Sequence, residues 1–176
     1  LLEIGFDGVF ETAAAAEVVS GFARQYITNG TERVMPEISS ACPAVIRLIC
    51  MRFPKLIPNI APVILPAELA AILARRRAVQ ETGLKPEEIG VFAIVPCSSQ
   101  MTTAHTPVGL TEPVLDGAFA IRDVYLKLLS PMKALDKNHL KPLSSSGIMG
   151  VGWAYCGGES AARLNERYVA VDGIEN

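Results

Sequence analysis

The chain has 176 residues, enough for one domain or one large lobe of a bigger one. Half of them are apolar and only 19% are charged, so a sizeable core can be buried. The formal charge of −2 excludes bulk attraction to nucleic acid or anionic lipid, and no run approaches the ~18 apolar residues of a membrane span. In chain order, "GFDGVFE" (5–11) reads as a short strand. "TAAAAEVVSGFARQYITNG" (12–30) reads as a helix, with Thr12 as N-cap and Asn29-Gly30 as its stop. "MPEIS" (35–39) reads as a second strand, followed at once by a helix over "CPAVIRLICMRF" (42–53). There Pro43 suits the first helical position, which makes Cys42 the N-cap.

"LPAELAAILARRRAVQETG" (65–83) repeats the device, with Pro66 opening a helix and Gly83 closing it. The run Arg75–Arg77 reads as a solvated helix face. "GVFAIVPC" (90–97) is a continuous apolar run, the signature of a strand buried on both faces. "GAFAI" (117–121) and "RDVYLKLLS" (122–130) read as strand and helix. A Gly-rich loop "GIMGVGWAYCGG" (147–158), a short helix near "GESAARLNE" and a last strand "RYVAV" (167–171) complete the chain. Strand–helix alternation predicts an α/β fold, a largely parallel sheet flanked by helices. The chain begins "LLEIGF" without Met and stops at "AVDGIEN", so residues 1–176 are expected to be an internal piece of a longer protein.

Cysteines stand at 42, 50, 97 and 156, without a C-x-x-C pair and without a signal peptide at the start. Scattered thiols of this kind fit a reducing, cytoplasmic setting rather than disulfides. Cys42 and Cys97 each directly follow a predicted strand, the end at which parallel α/β sheets bind ligands. Cys42 has more: its helix N-terminus adds free N–H groups and partial positive charge, a setting that favours thiolates. Ser98, Ser99 and Gln100 supply small polar groups beside Cys97. Pattern alone leaves structural and ligand roles open for this pair. Cys50, amid Leu48, Ile49 and Met51, reads as core, and Cys156 as structural. His105 and His139 read as surface-loop residues, with a proton-carrying role open for His105. The Gly-rich loop would need Gly at Tyr155 to match G-x-G-x-x-G, and so reads as a helix-entry loop.

"SSACPAVIRLICMRFPKLIPNIAPVILPAELAA" resembles the first active-site motif of iron-only (FeFe) hydrogenases, TSCCPxW followed by a K-S-P before a helix. "VFAIVPCSSQ" resembles their second motif, the strand ending IMPCxxK. "GFDGVFETAAAAE", "DGAFAIRDVYLKLL" and "GIMGVGWAYCGGESAARL" resemble further stretches of that family in the same order. The resemblance implies one lobe of the two-lobed H-cluster domain, truncated before the family's third cysteine motif. It implies Cys42 and Cys97 as ligands of the 4Fe–4S part of the H-cluster, which also carries a di-iron subcluster. Pro43, Pro66, Pro96, Ser98 and Gln100 would line the same pocket. Two ligands of the usual four are present, so no stable cluster is expected in this piece alone.

The departures are as informative. The family's proton-donor Cys is Ala41 here, and its cyanide-contacting Lys is Gln100, an amide without charge. A Glu six residues after the second motif's Cys is Thr103, a relay Ser is Ala61, and an acidic pair falls at Phe22 and Ala23. A retained cluster pocket with a dismantled proton relay resembles the family's sensory branch, whose members join signalling domains. Hydrogen and protons, electron-transfer or signalling domains in the parent, and self-association through an exposed lobe face are the implied partners. Nucleic acid and membrane are not among them. An iron–sulfur assembly protein of the prelamin-A-recognition-factor type and a metal-free α/β binding module are the alternatives.

Overall fold

A computed structural model describes residues 1–29, 34–135, 146–171 and 173. The chain folds as two compact units, Leu1–Phe10 with Ala71–Ser144 and Glu11–Ala70 with Ser145–Asn176.

The first unit is built on two parallel strands, β1 (Phe92–Val95) and β2 (Gly117–Ala120), with Phe92 beside Gly117 and Val95 beside Ala120. A helix follows each strand directly: α4 (Ser98–Thr103) after β1 and α5 (Ile121–Ala134) after β2. The unit also takes the greater part of α3 (Pro66–Thr82), the helix opened by Pro66 as the sequence predicts. Small side chains make the core. Ala71, Ala104 and Leu115 are buried together, with Val91, Ala93, Val114 and Ala118 packed against them. Because side chains alternate along a strand, the opposite face carries Phe92 and Phe119, whose rings lie 5.6 Å apart. Those rings are 47% and 41% exposed, so β1 is not buried on both faces as its apolar run predicts. One face of small residues meets the core; the aromatic face does not.

Arg75 holds this unit's strand entrances. Its guanidinium donates to the carbonyls of Pro86, Ile89 and Val114 (3.3 Å) and to the Asp116 carboxylate (2.7 Å). Asp116 in turn accepts the Val91 N–H at 2.6 Å. Of the arginine run, Arg76 and Arg77 are solvated as expected, whereas Arg75 is a structural staple.

The second unit is helical. Helix α1 (Thr12–Asn29) buries Ala15, Ala16, Val19 and Ala23, a stripe at helical spacing, and packs on α6 (Ile148–Gly152) and α7 (Gly158–Ala162). Gly150 is needed there, because a Cβ would fall on the Ala13 carbonyl oxygen. Its N–H donates to Glu17 Oε1 (3.1 Å), and Ser146 Oγ donates to Glu11 Oε2 (2.8 Å). Helix α2 (Pro43–Arg52) buries Pro43, Ile46 and Ile49.

Three predicted strands are absent from the described residues. Residues 5–11 follow a single 3-10 turn, Leu2–Ile4, whose left-handed Gly5 turns the chain away from extension. "MPEIS" reaches only an isolated parallel bridge, Ile38 to Ile60, since no further partner strand lies in register. "RYVAV" forms no ladder over residues 167–171. His139 lies outside the described residues.

Candidate functional site

Each of the two motif cysteines is itself extended and caps a helix, but only Cys97 stands just past a strand, β1. Cys42 is preceded by bends at Ser40 and Ala41 instead of the predicted strand. Cys42 has φ −106° and ψ 105°, and its carbonyl accepts the Ile46 N–H (3.1 Å), the first bond of α2. Pro43 occupies the first helical position, as predicted, and is fully buried. Cys97, with φ −136° and ψ 155°, caps α4 in the same way through the Met101 N–H (3.2 Å). Neither thiol is spent on capping, and both are exposed.

Cys97 lies in the first unit, on a groove of about 230 Å³ at the C-terminal ends of β1 and β2. Pro96, Cys97, Ser98 and Met101 line one side, and Ala120, Ile121 and Arg122 line the other. Two in-register parallel strands end side by side, so the residues after Val95 and after Ala120 meet at one edge. Gln100 accepts the Cys97 thiol proton at Oε1, Sγ to oxygen 3.6 Å. Of the residues expected beside Cys97, Pro96 and Ser98 line this groove and Gln100 does not, while Arg122, which lines it, was not anticipated. The signal was present: Arg122 follows the second predicted strand as Ser98 follows the first. Its guanidinium is 86% exposed and pairs with Asp123 at 3.4 Å.

Cys42 lies in the second unit, with Pro43 and Pro66. The segment entering it is tied down on both sides. Ser40 Oγ donates to the Val63 carbonyl (2.6 Å), and Ser39 Oγ donates to Glu159 Oε1 (2.6 Å). Pro66 is buried and opens α3, whose Glu68 is also buried at 2% exposure. Burial pushes the Glu68 carboxyl above the usual range, opposed by a hydrogen bond from the Leu65 backbone N–H. Its Oε1 has no partner.

The other two cysteines correct the sequence reading. Cys50 is exposed, because one residue beyond Ile49 turns the side chain about 100° off the buried Pro43–Ile46–Ile49 face. Cys156 is exposed too, in the turn before the left-handed Gly157. His105 is exposed just past α4 and is not among the groove-lining residues. Among the described residues, no three His, Cys, Asp or Glu side chains cluster as a metal site. No described helix is long and apolar enough to cross a membrane.

Residues 1–124 match the family model described as "Iron only hydrogenase large subunit, C-terminal domain". Among solved structures, the chain is similar to an apo FeFe hydrogenase from Chlamydomonas reinhardtii, a single-residue variant. Identity is 21%, the TM-score is 0.62, and 86% of this chain and 39% of that chain are covered. A structure on stepwise H-cluster assembly in an FeFe hydrogenase matches at 22% identity and TM-score 0.67, covering 93% of this chain and 43% of that one. A third, on FeFe-hydrogenase inactivation by oxygen through the 2Fe subcluster, matches at 20% and 0.66, covering 93% and 44%. The chain thus spans about two fifths of the length of the solved structures it matches.

Proposed function

Because the chain belongs to the family of C-terminal domains of the iron-only hydrogenase large chain, we propose that it forms part of the H-cluster-binding domain of an FeFe-hydrogenase-like protein. Cys42 and Cys97 are then two ligands of the 4Fe–4S part. The observation that carries this reading is the matched cap geometry of the pair: each, itself extended, caps a helix and leaves its thiol exposed.

The described residues do not fit a whole cluster. A cubane takes four ligands, usually thiolates, and no three candidate ligands gather here. The remaining ligands are proposed to come from a longer protein, and this chain alone is proposed to hold no stable cluster. In the complete domain the cluster supplies electron storage and a di-iron site for hydrogen. This chain supplies the two thiols and the walls around them. Pro43 and Pro66 fix backbone at two helix starts without adding N–H donors. Pro96 and Ser98 flank Cys97, and Gln100 turned over would offer its N–H₂ to an ionised sulfur or another anion.

Ala41 carries no proton, and Thr103 is buried with its hydroxyl donating to the Ser99 carbonyl (2.9 Å). Fast turnover needs protons moved by positioned groups. A hydrogen-sensing or slow hydrogenase-like role is therefore the favoured reading, with signalling or electron-transfer domains as partners in the parent. The half-exposed Phe92–Phe119 pair supports self-association through that face.

Infrared spectroscopy of the longer protein, matured anaerobically, tests the reading. Bands from carbonyl and cyanide ligands of a di-iron site are expected. Bound iron without those bands would favour an iron–sulfur assembly role instead.

A further inference from the structure

The segment 39–42 is held by a hydrogen-bond chain that begins in a distant part of the sequence. The Ala41 N–H donates to Ser39 Oγ (3.2 Å), and the Ser39 hydroxyl donates to Glu159 Oε1 (2.6 Å). Arg163, one turn further along, pairs with that same carboxylate oxygen. The Glu159 and Arg163 side chains are 29% and 14% exposed, so water competes weakly for them. A hydroxyl bonded to a carboxylate at this distance is charge-assisted, about twice as strong as a neutral bond. The glycines of the nearby loop account for how α7 reaches this place. Gly157 is left-handed (φ 73°), and a Cβ at Gly158 would fall on the Gly152 carbonyl oxygen.

We propose that Glu159, oriented by Arg163, is a positioning residue that acts through Ser39 to fix the backbone presenting Cys42. The relevance to iron rests on the reading of Cys42 as a cluster ligand; the anchor itself does not. Both Glu159 and Arg163 lie beyond residues 1–124, the part matched by the family model. Ligands with fixed orientation hold metal better than mobile ones, and outer partners commonly supply that orientation.

Hydrogen–deuterium exchange resolved to single amides tests the anchor in the full chain. Ser39→Ala and Glu159→Gln should each speed exchange at Ala41, whose N–H is held by Ser39 Oγ, about tenfold, while amides of α1 and β1 keep their wild-type rates. Ser39→Thr, which keeps the hydroxyl, should restore protection. Unchanged exchange at Ala41 in both variants would overturn the proposal, as would an equal rise throughout the chain. Iron retention by Cys42→Ser in the longer protein is read separately, and full retention would sink the ligand reading while leaving the anchor standing.

Discussion

Replacing Arg75 should cost the first unit more than any change to its ion-pair partner. The guanidinium serves three carbonyls and one carboxylate, and its side chain is 23% exposed. Hydrogen bonds to a charged group contribute about 1.5–3 kcal/mol each when enclosed, but the bond to Pro86 is exposed and the Val114 bond is long, so we expect Arg75→Ala to cost about 2–3 kcal/mol. The Asp116 side chain is 45% exposed, which limits its ion pair to about 0–1 kcal/mol. Asp116→Asn keeps an oxygen for the Val91 N–H and should cost only that much. Asp116→Ala also orphans the Val91 N–H and should cost about 1 kcal/mol more. Urea unfolding followed by circular dichroism measures all three, since about 2 kcal/mol moves a midpoint by roughly 1 M at an ordinary slope. Burial tends to raise the Asp116 carboxyl, but the Val91 N–H and Arg75 together hold it below the usual range. An acid depressed in the fold contributes stability above its unfolded value and loses it as pH falls through its folded value. The gap between wild type and Asp116→Asn should therefore close on acidification. An Arg75→Ala cost no larger than that of Asp116→Asn would refute the staple.

Glu68 has the opposite sign: burial raises its carboxyl, so its contribution is full below the ordinary carboxylate value and lost as pH rises through the folded one. Glu68→Gln should thus be more stable than wild type at neutral pH and lose that advantage in acid; equal midpoints at both pH values would contradict this. Gly150→Ala should loosen the packing of α1 on α6 by about 1–3 kcal/mol, because the added methyl meets backbone rather than a yielding side chain, and thermal melting reads it directly. In the longer protein, Ala41→Cys should raise hydrogen turnover, with each tenfold gain equal to about 1.4 kcal/mol of barrier. No gain at unchanged iron content would place the limiting step elsewhere.

The helices were legible where local chemistry is decisive. Pro43 and Pro66 open helices at the predicted residues and Cys42 caps its own, whereas the short helix that Cys97 caps was not predicted. Strands depend on partners, which sequence does not show locally. Residues 35–39 find a bridge through Ile38 only, and residues 167–171 find none, although both segments have strand-like composition. Burial was misread where a run of apolar residues hid a direction. Cys50 sits beside the buried face of α2 rather than on it, and Phe92 points away from the alanine-rich core. Arg75 looked like its neighbours because its four acceptors lie 11 to 41 residues away in sequence. Glu159 was invisible for the same reason, its partner Ser39 being 120 residues distant.

Iron counting after anaerobic reconstitution of the longer protein, with each cysteine changed to serine in turn, tests the central assignment most directly. Cys42→Ser and Cys97→Ser should each lose the 4Fe–4S electron paramagnetic resonance signal and most of the iron, whereas Cys50→Ser and Cys156→Ser should keep both. Full iron and an unaltered signal in Cys42→Ser or Cys97→Ser would contradict the assignment.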